Sequence, residues 1–84
     1  MHLPAALCDL FPGAPRHLDV EAVDVKGVID ALDQLWPGMG DRLRDSKPAI
    51  RKHISVMVDG ERLTLSRTLQ PRDDVWILTA ISGG

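Results

Sequence analysis

Residues 25–36 constrain this chain most. Val25, Val28, Ile29, Leu32, Leu35 and Trp36 recur at spacings of three, four and seven, which gathers them on one face of a helix. Lys26, Asp30, Asp33 and Gln34 fall between them and give that helix a polar outer face. Asp24 is placed as an N-cap, with a carboxylate that can accept from the first free amides. Pro37-Gly38 stops the helix, because a proline disfavours helical geometry in the residue before it. Gly27 weakens the helix slightly. A helix with one apolar stripe must lay it on another layer, so the rest of the chain has to supply a surface.

The second half supplies one. Over residues 53–59, Ile54, Val56 and Val58 alternate with Ser55 and Met57, and the run ends in Asp59-Gly60, so a strand is expected to enter a hairpin turn. Residues 61–65 return as a short edge strand with Leu63 and Leu65 on one side. Residues 69–74, Leu-Gln-Pro-Arg-Asp-Asp, read as a turn, with proline fixing one φ angle and aspartates able to bond nearby amides. A last strand is expected over residues 75–81. Ahead of the helix, residues 3–11 and 17–23 read as two strands around the loop Pro12-Gly13-Ala14-Pro15, with Pro4 at the start or on an edge. Residues 38–50 hold a short helical turn around Arg42-Leu43-Arg44 and are otherwise loop. The order β, β, α, loop, β, β, β describes an α+β fold, a sheet of about four to five strands with one main helix on one face.

One helix covers only one face of a sheet. In the last strand Val75, Ile77, Thr79 and Ile81 point one way and Trp76, Leu78 and Ala80 the other, so both faces are apolar. Trp76, Leu78 and Met57 are the candidates for a partner face, unless loops or a small second helix cover them.

Composition narrows the function classes. Eighty-four residues suit one domain over residues 1–84, and 44% hydrophobic with 26% charged residues is ordinary for a folded chain. Ten basic against twelve acidic residues lack the basic excess that draws a protein to phosphate backbones, so nucleic acid is not an expected partner. No stretch approaches the roughly 18 apolar residues of a membrane span, and no cationic segment precedes an apolar one at the start. Cys8 is the single cysteine, which excludes an internal disulfide or a thiolate metal cluster and makes the cytoplasm the natural compartment. A lone cysteine near a strand is more often a small buried hydrophobe than a reactive thiol. His2, His17 and His53 are scattered in sequence without metal-ligand spacing, so no metal is assigned. Asp30 and Asp33 fit a solvated helix face, Asp73 and Asp74 fit turn chemistry, and there is no phosphate-binding glycine loop.

The sequence closes on Ile81-Ser82-Gly83-Gly84, directly after the last strand. Two glycines in succession make a thin, unbranched tail that can enter a narrow channel, which points to the terminal carboxylate as the working group.

With this element order, the Trp36-Pro37-Gly38 helix stop, the Val58-Asp59-Gly60 turn, the Asp-rich segment before Val75 and the closing Ser82-Gly83-Gly84, the chain resembles the ubiquitin-like β-grasp sulfur carriers of the MoaD/ThiS family. These include the molybdopterin-synthase small subunit and the thiamine-pathway carrier. The long helix and connecting loop look like the molybdopterin-type branch, and the Leu3-Pro4 start resembles a branch tied to cysteine biosynthesis. Departures are Cys8 where family members often carry arginine, a single Leu3 before Pro4, and Thr79, Ala80, Ile81 and Ser82 in place of smaller residues before the diglycine.

The resemblance implies a ubiquitin-like β-grasp with a mixed sheet. It implies that Gly84 becomes an acyl-adenylate and then a thiocarboxylate, with Gly83, Ser82 and Ile81 read by partners. The implied partners are an ATP-dependent adenylating enzyme, a sulfur donor protein, and a downstream acceptor enzyme such as a molybdopterin-synthase large subunit or a cysteine synthase. ATP would be held by the activating partner, and this chain would be carried substrate rather than enzyme. A ubiquitin-like modifier joined to lysines through Gly84, and a non-covalent β-grasp adaptor, use the same features.

Overall fold

The computed structural model describes residues 1–45 and 50–79. Its elements are α1 (Ala5–Leu10), α2 (Val25–Leu35), α3 (Met39–Leu43), β1 (Ile54–Val58), β2 (Glu61–Arg62) and β3 (Trp76–Thr79). The strands form an antiparallel sheet in the order β2-β1-β3.

Helix α2 begins and ends as its end residues dictate. Asp24 Oδ1 accepts from the Gly27 amide at 2.7 Å, which satisfies one of the free N–H groups of the first turn. Val25, Val28, Ile29 and Leu32 are buried, each worth roughly 1.5–3 kcal/mol of transfer free energy. Leu35 departs from the expected face: it is exposed at the last helical position, while Trp36 packs half-buried beyond it. The Met39 amide then donates to the Trp36 carbonyl at 2.9 Å across Pro37-Gly38, with Gly38 at φ 98°, a type II turn that needs glycine at its third position. This turn starts α3, which begins three residues before the expected helical turn at Arg42-Leu43-Arg44 and ends at Leu43. Asp33 Oδ1 accepts from the amides of Gly38 (3.1 Å) and Gly40 (2.9 Å), and a Cβ on Gly40 would come within 3.0 Å of that side chain. Asp30 holds the same two helices together from α2: Lys26 and Arg44 both donate to it, and these two bonds set its carboxyl below the usual range. Asp30 and Asp33 are thus ties between elements rather than a merely solvated face.

The sheet follows the expected alternation. Ile54, Val56 and Val58 are buried and Ser55 and Met57 are not. Asp59 (φ 52°) and Gly60 (φ 79°) both take left-handed angles between the paired residues Val58 and Glu61, the type I′ hairpin that suits the twist of the strands. Only Glu61 and Arg62 form β2, yet the Leu63 amide still donates to the Val56 carbonyl at 2.7 Å, and Leu63 and Leu65 turn into the core as expected. Residues 80 and 81 of the last expected strand, and 46–49 of the preceding loop, lie outside the described residues.

The first expected strand is overturned. Residues 5–10 are helical, because Pro4 at φ −73° is already set for a helix start and Ala5-Ala6-Leu7 have high helix propensity. Leu3 and Leu7, four apart, are both buried. What remains of strand pairing is His2, which bridges Trp76 in parallel and His17 in antiparallel sense. The His2 amide donates to the Val75 carbonyl (2.7 Å) and the Ile77 amide to the His2 carbonyl (2.9 Å), while Leu3 and Leu18 complete the pair on the other side. The second expected strand, residues 17–23, is likewise reduced to the His17 bridge. The sheet therefore extends past β3 by two single-residue steps, and the step onto β3 is parallel. One hydrophobic core unites the buried sides of α1, α2 and α3 with the inner faces of β1 and β3.

Candidate functional site

The candidate site is the outer face of the sheet where β3 leads toward the closing glycines. Pairing of Met57 with Trp76 and of Ser55 with Leu78 sets these four residues side by side on the face away from the core. Trp76 (44% exposed) and Leu78 (43%) are open to solvent and Met57 is half-buried, so the three residues chosen from sequence share one surface. No loop or helix among the described residues buries the two larger side chains. Ser55 Oγ accepts from Arg62 Nη2 at 2.8 Å, which places a guanidinium at the rim of the patch. Ile81, Ser82, Gly83 and Gly84, the tail residues of the sequence reading, lie outside the described residues.

Sequence reasoning missed the neighbours of Trp76. The His2 ring stacks on the indole at a centroid distance of 3.7 Å and an interplanar angle of 10°. His17 meets His2 edge-on, with the two Nδ1 atoms 2.7 Å apart. His2 Nε2 lies 2.7 Å from Asp74 Oδ1. Two of the three histidines taken as scattered are therefore brought together, and Asp74 serves His2 rather than the turn. Asp73 alone does the expected turn work, accepting from the Gln70 amide at 2.8 Å.

These contacts dictate where protons sit. A carboxylate only accepts, so His2 Nε2 donates to Asp74. With His2 neutral, its Nδ1 then accepts from the Nδ1–H of His17. A proton on both Nδ1 atoms would set two N–H groups against each other and break the contact. The chain from Asp74 through His2 to His17 thus holds one face of Trp76 and fixes the indole beside Leu78.

Other residues singled out from sequence are elsewhere. His53 is exposed just before β1, beside a shallow pocket that it lines with Arg51, Asp41 and Phe11, and Cys8 is half-buried against the core. Among the described residues, no group of three or more His, Cys, Asp or Glu side chains is arranged to hold a metal ion. No helix among them is long and apolar enough to cross a membrane.

No protein-family model and no curated protein sequence matches this chain. Solved structures do. A chain of the BexX/CysO complex of Amycolatopsis orientalis superposes with a TM-score of 0.86 at 23% identity, over 99% of this chain and 96% of that one. SAMP1 from Haloferax volcanii gives a TM-score of 0.75 at 26% identity, over 99% of this chain and 94% of its own. Both neighbours are small ubiquitin-like β-grasp proteins. Two shortened bridges at the N-terminal side of the sheet, α2 across its inner face and β3 between them make this chain a ubiquitin-like β-grasp protein, the fold that the sulfur-carrier resemblance implies.

Proposed function

We propose that this protein is a sulfur carrier of the MoaD/ThiS kind, loaded at Gly84. The observation that carries the reading is the combination of a β-grasp domain with a diglycine placed, in the sequence, three residues beyond the end of β3. The likeness to a chain of the BexX/CysO complex supports it, since that chain is found with a second protein, as a carrier must be during loading or delivery.

The chemistry then belongs to the tail and its partners. An ionised carboxylate is a poor electrophile, so it has to be activated before sulfur can enter. In the proposed sequence a carboxylate oxygen of Gly84 attacks the α-phosphate of ATP held by an adenylating enzyme, and pyrophosphate leaves. The terminal sulfur of a donor persulfide attacks the acyl carbon and AMP leaves. A thiol then cleaves the sulfur–sulfur bond, becoming oxidised to a disulfide with the donor, and Gly84 is left as a thiocarboxylate. Positioning of the tail in the partner's channel is the main catalytic aid, and Trp76, Leu78 and Met57 give the partner a surface to hold while Ile81, Ser82 and Gly83 are threaded. This chain is carried substrate in the cytoplasm, ATP is bound by the partner, and an acceptor enzyme takes the sulfur.

The test is intact-mass measurement after incubation with a cognate adenylating enzyme, ATP and a persulfide donor. One terminal oxygen is expected to be exchanged for sulfur, and deletion of Gly83 and Gly84 to abolish the exchange. Lysine-linked Gly-Gly remnants in place of the thiocarboxylate would establish the modifier role instead, and activity that survives the deletion would establish a non-covalent adaptor.

A further inference from the structure

Residues 17–24 keep the period of a strand without its ladder. His17, Asp19, Glu21 and Val23 are exposed, whereas Leu18, Val20, Ala22 and Asp24 are half-buried, so the side chains alternate between two faces. The ends of the segment are tied down: Leu18 exchanges hydrogen bonds with Met1, and the Val23 carbonyl accepts from Leu69 at 2.8 Å. Between those ties, the backbones of Asp19, Val20, Glu21 and Ala22 make no backbone hydrogen bond among the described residues. An extended edge with free amides and carbonyls is a template for another strand.

Beside this edge the segment and residues 69–75 stand apart around an open groove of about 910 Å³. Val20, Ala22, Val28, Leu69 and Val75 contribute apolar surface to it. Its charged side chains are Asp19, Glu21 and Asp73, no lysine or arginine lines it, and the ammonium of Met1, which also lines it, is already bonded to the Leu18 carbonyl. Asp19 and Glu21 have no hydrogen-bond or ion-pair partner among the described residues. Val23, at 77% exposure, closes the edge as its most solvent-open large apolar residue.

Backbone and side chains together specify the occupant. A strand added along residues 19–22 would set alternate side chains beside Val20 and Ala22 on one face and beside Asp19 and Glu21 on the other. The first set has to be apolar and the second cationic. A second copy of this chain does not match: its other edge, Glu61-Arg62-Leu63-Thr64-Leu65, carries one cation and turns both leucines into its own core. We propose that residues 19–23 and the adjoining groove bind, by strand addition, an extended segment of a partner protein in which lysine or arginine alternates with apolar residues. This site lies apart from the Trp76 face and does not depend on Gly84 chemistry.

The test uses the full chain and three capped, fluorescein-labelled hexapeptides: alternating Lys-Val, the same residues in blocks of three, and alternating Glu-Val. The alternating Lys-Val peptide is expected to bind about tenfold tighter than the block peptide in fluorescence anisotropy, because only it satisfies both faces of the edge. Amide shifts in ¹H–¹⁵N spectra should concentrate on residues 19–23 and 69–75. The double variant Asp19→Lys, Glu21→Lys should weaken binding at least about tenfold while shifts elsewhere stay in place. Both positions are exposed, and Glu21→Gln serves as a milder variant with a smaller loss should the double variant perturb the fold. Equal binding of the alternating and block peptides would mean charge attraction alone and overturn the proposal. So would absence of binding, shifts centred on Trp76 and Leu78, or a dimer of this chain that buries residues 19–23.

Discussion

The two edges of the sheet are managed in opposite ways. At the β2 edge the chain turns back in two residues, the strand is only Glu61–Arg62, and both residues are exposed and charged. Arg62 caps Ser55 and Arg67 pairs with Glu61, so the edge presents salt-bridged side chains to solvent. That is how folded proteins discourage pairing with strangers. Beyond β3 the ladder thins to His2 and His17 and then stops, leaving residues 19–22 extended and without backbone partners among the described residues. One edge is closed by charge and brevity. The other is left open. Within one small domain, an edge closed to pairing and an edge without backbone partners among the described residues are thus separated by β1, β3 and the His2 bridge.

The sharpest way to break this comparison is to ask whether the sparsely paired edge is anchored at all. Leu3 is only 2% exposed, so the few bridges around it are backed by core packing. Leu3→Ala is expected to cost about 3 kcal/mol in urea unfolding, within the usual span for a buried leucine. Leu65→Ala, under the β2 edge and slightly less buried, should cost no more. A loss below about 1 kcal/mol for Leu3→Ala would show that residues 1–4 rest on the domain without belonging to its core.

A second measurement examines the closed edge. Gly60 has φ 79° with nothing within 4 Å of an added Cβ, so Gly60→Ala carries a purely conformational penalty of about 1–2 kcal/mol. Gly13 has a similar angle (φ 95°) and equal room, but it lies in a loop outside any ladder. Gly13→Ala should cost less, because the loop can relax where the hairpin cannot. Equal losses in thermal unfolding would mean that the hairpin is no more rigid than the loop.

The closed edge was also the readable one. Asp59-Gly60 between alternating apolar residues announces a type I′ hairpin, and Asp24 with Pro37-Gly38 marks both ends of α2, because each signal acts over four residues or fewer. The open edge depends on contacts that sequence does not display. His2 meets Asp74 across 72 positions and His17 across 15, and nothing local distinguishes these histidines from His53. The outer-face trio was readable because period-two alternation fixes which side each residue takes. Residues 5–10 were misread for a different reason: an apolar run of this length suits either strand or helix, and Pro4 followed by two alanines was the signal for helix. Residues 17–23 carried a correct alternation, but alternation states which way side chains point and not whether a neighbour pairs with them.

The histidine contacts give a third, smaller difference between the edges. His17→Ala removes the partner of His2 Nδ1 and is expected to cost no more than about 1 kcal/mol, yet to change the emission of Trp76 by loosening the ring stacked on it. Arg62→Ala, at the other edge, should stay within about 0.5 kcal/mol. Its effect on Trp76 emission should also be the smaller one. Trp36 is common to both variants, so its signal cancels in the comparison.

The smallest effect separates both edges from the helices. Lys26 and Arg44 hold the Asp30 carboxyl below its ordinary value by hydrogen bonding, so the folded state favours the ionised form more than the unfolded state does. That contribution is complete above the unfolded value and disappears as pH falls through the folded one, so it is lost only from about pH 4 downward. Because the carboxylate is 42% exposed, solvent screening keeps the change modest. In Asp30→Asn, urea unfolding should show a shallower fall in stability over this acid range and an unchanged slope at higher pH. A fall in acid as steep as that of the parent would show that the bonds from Lys26 and Arg44 to Asp30 add nothing to the tie between α2 and α3.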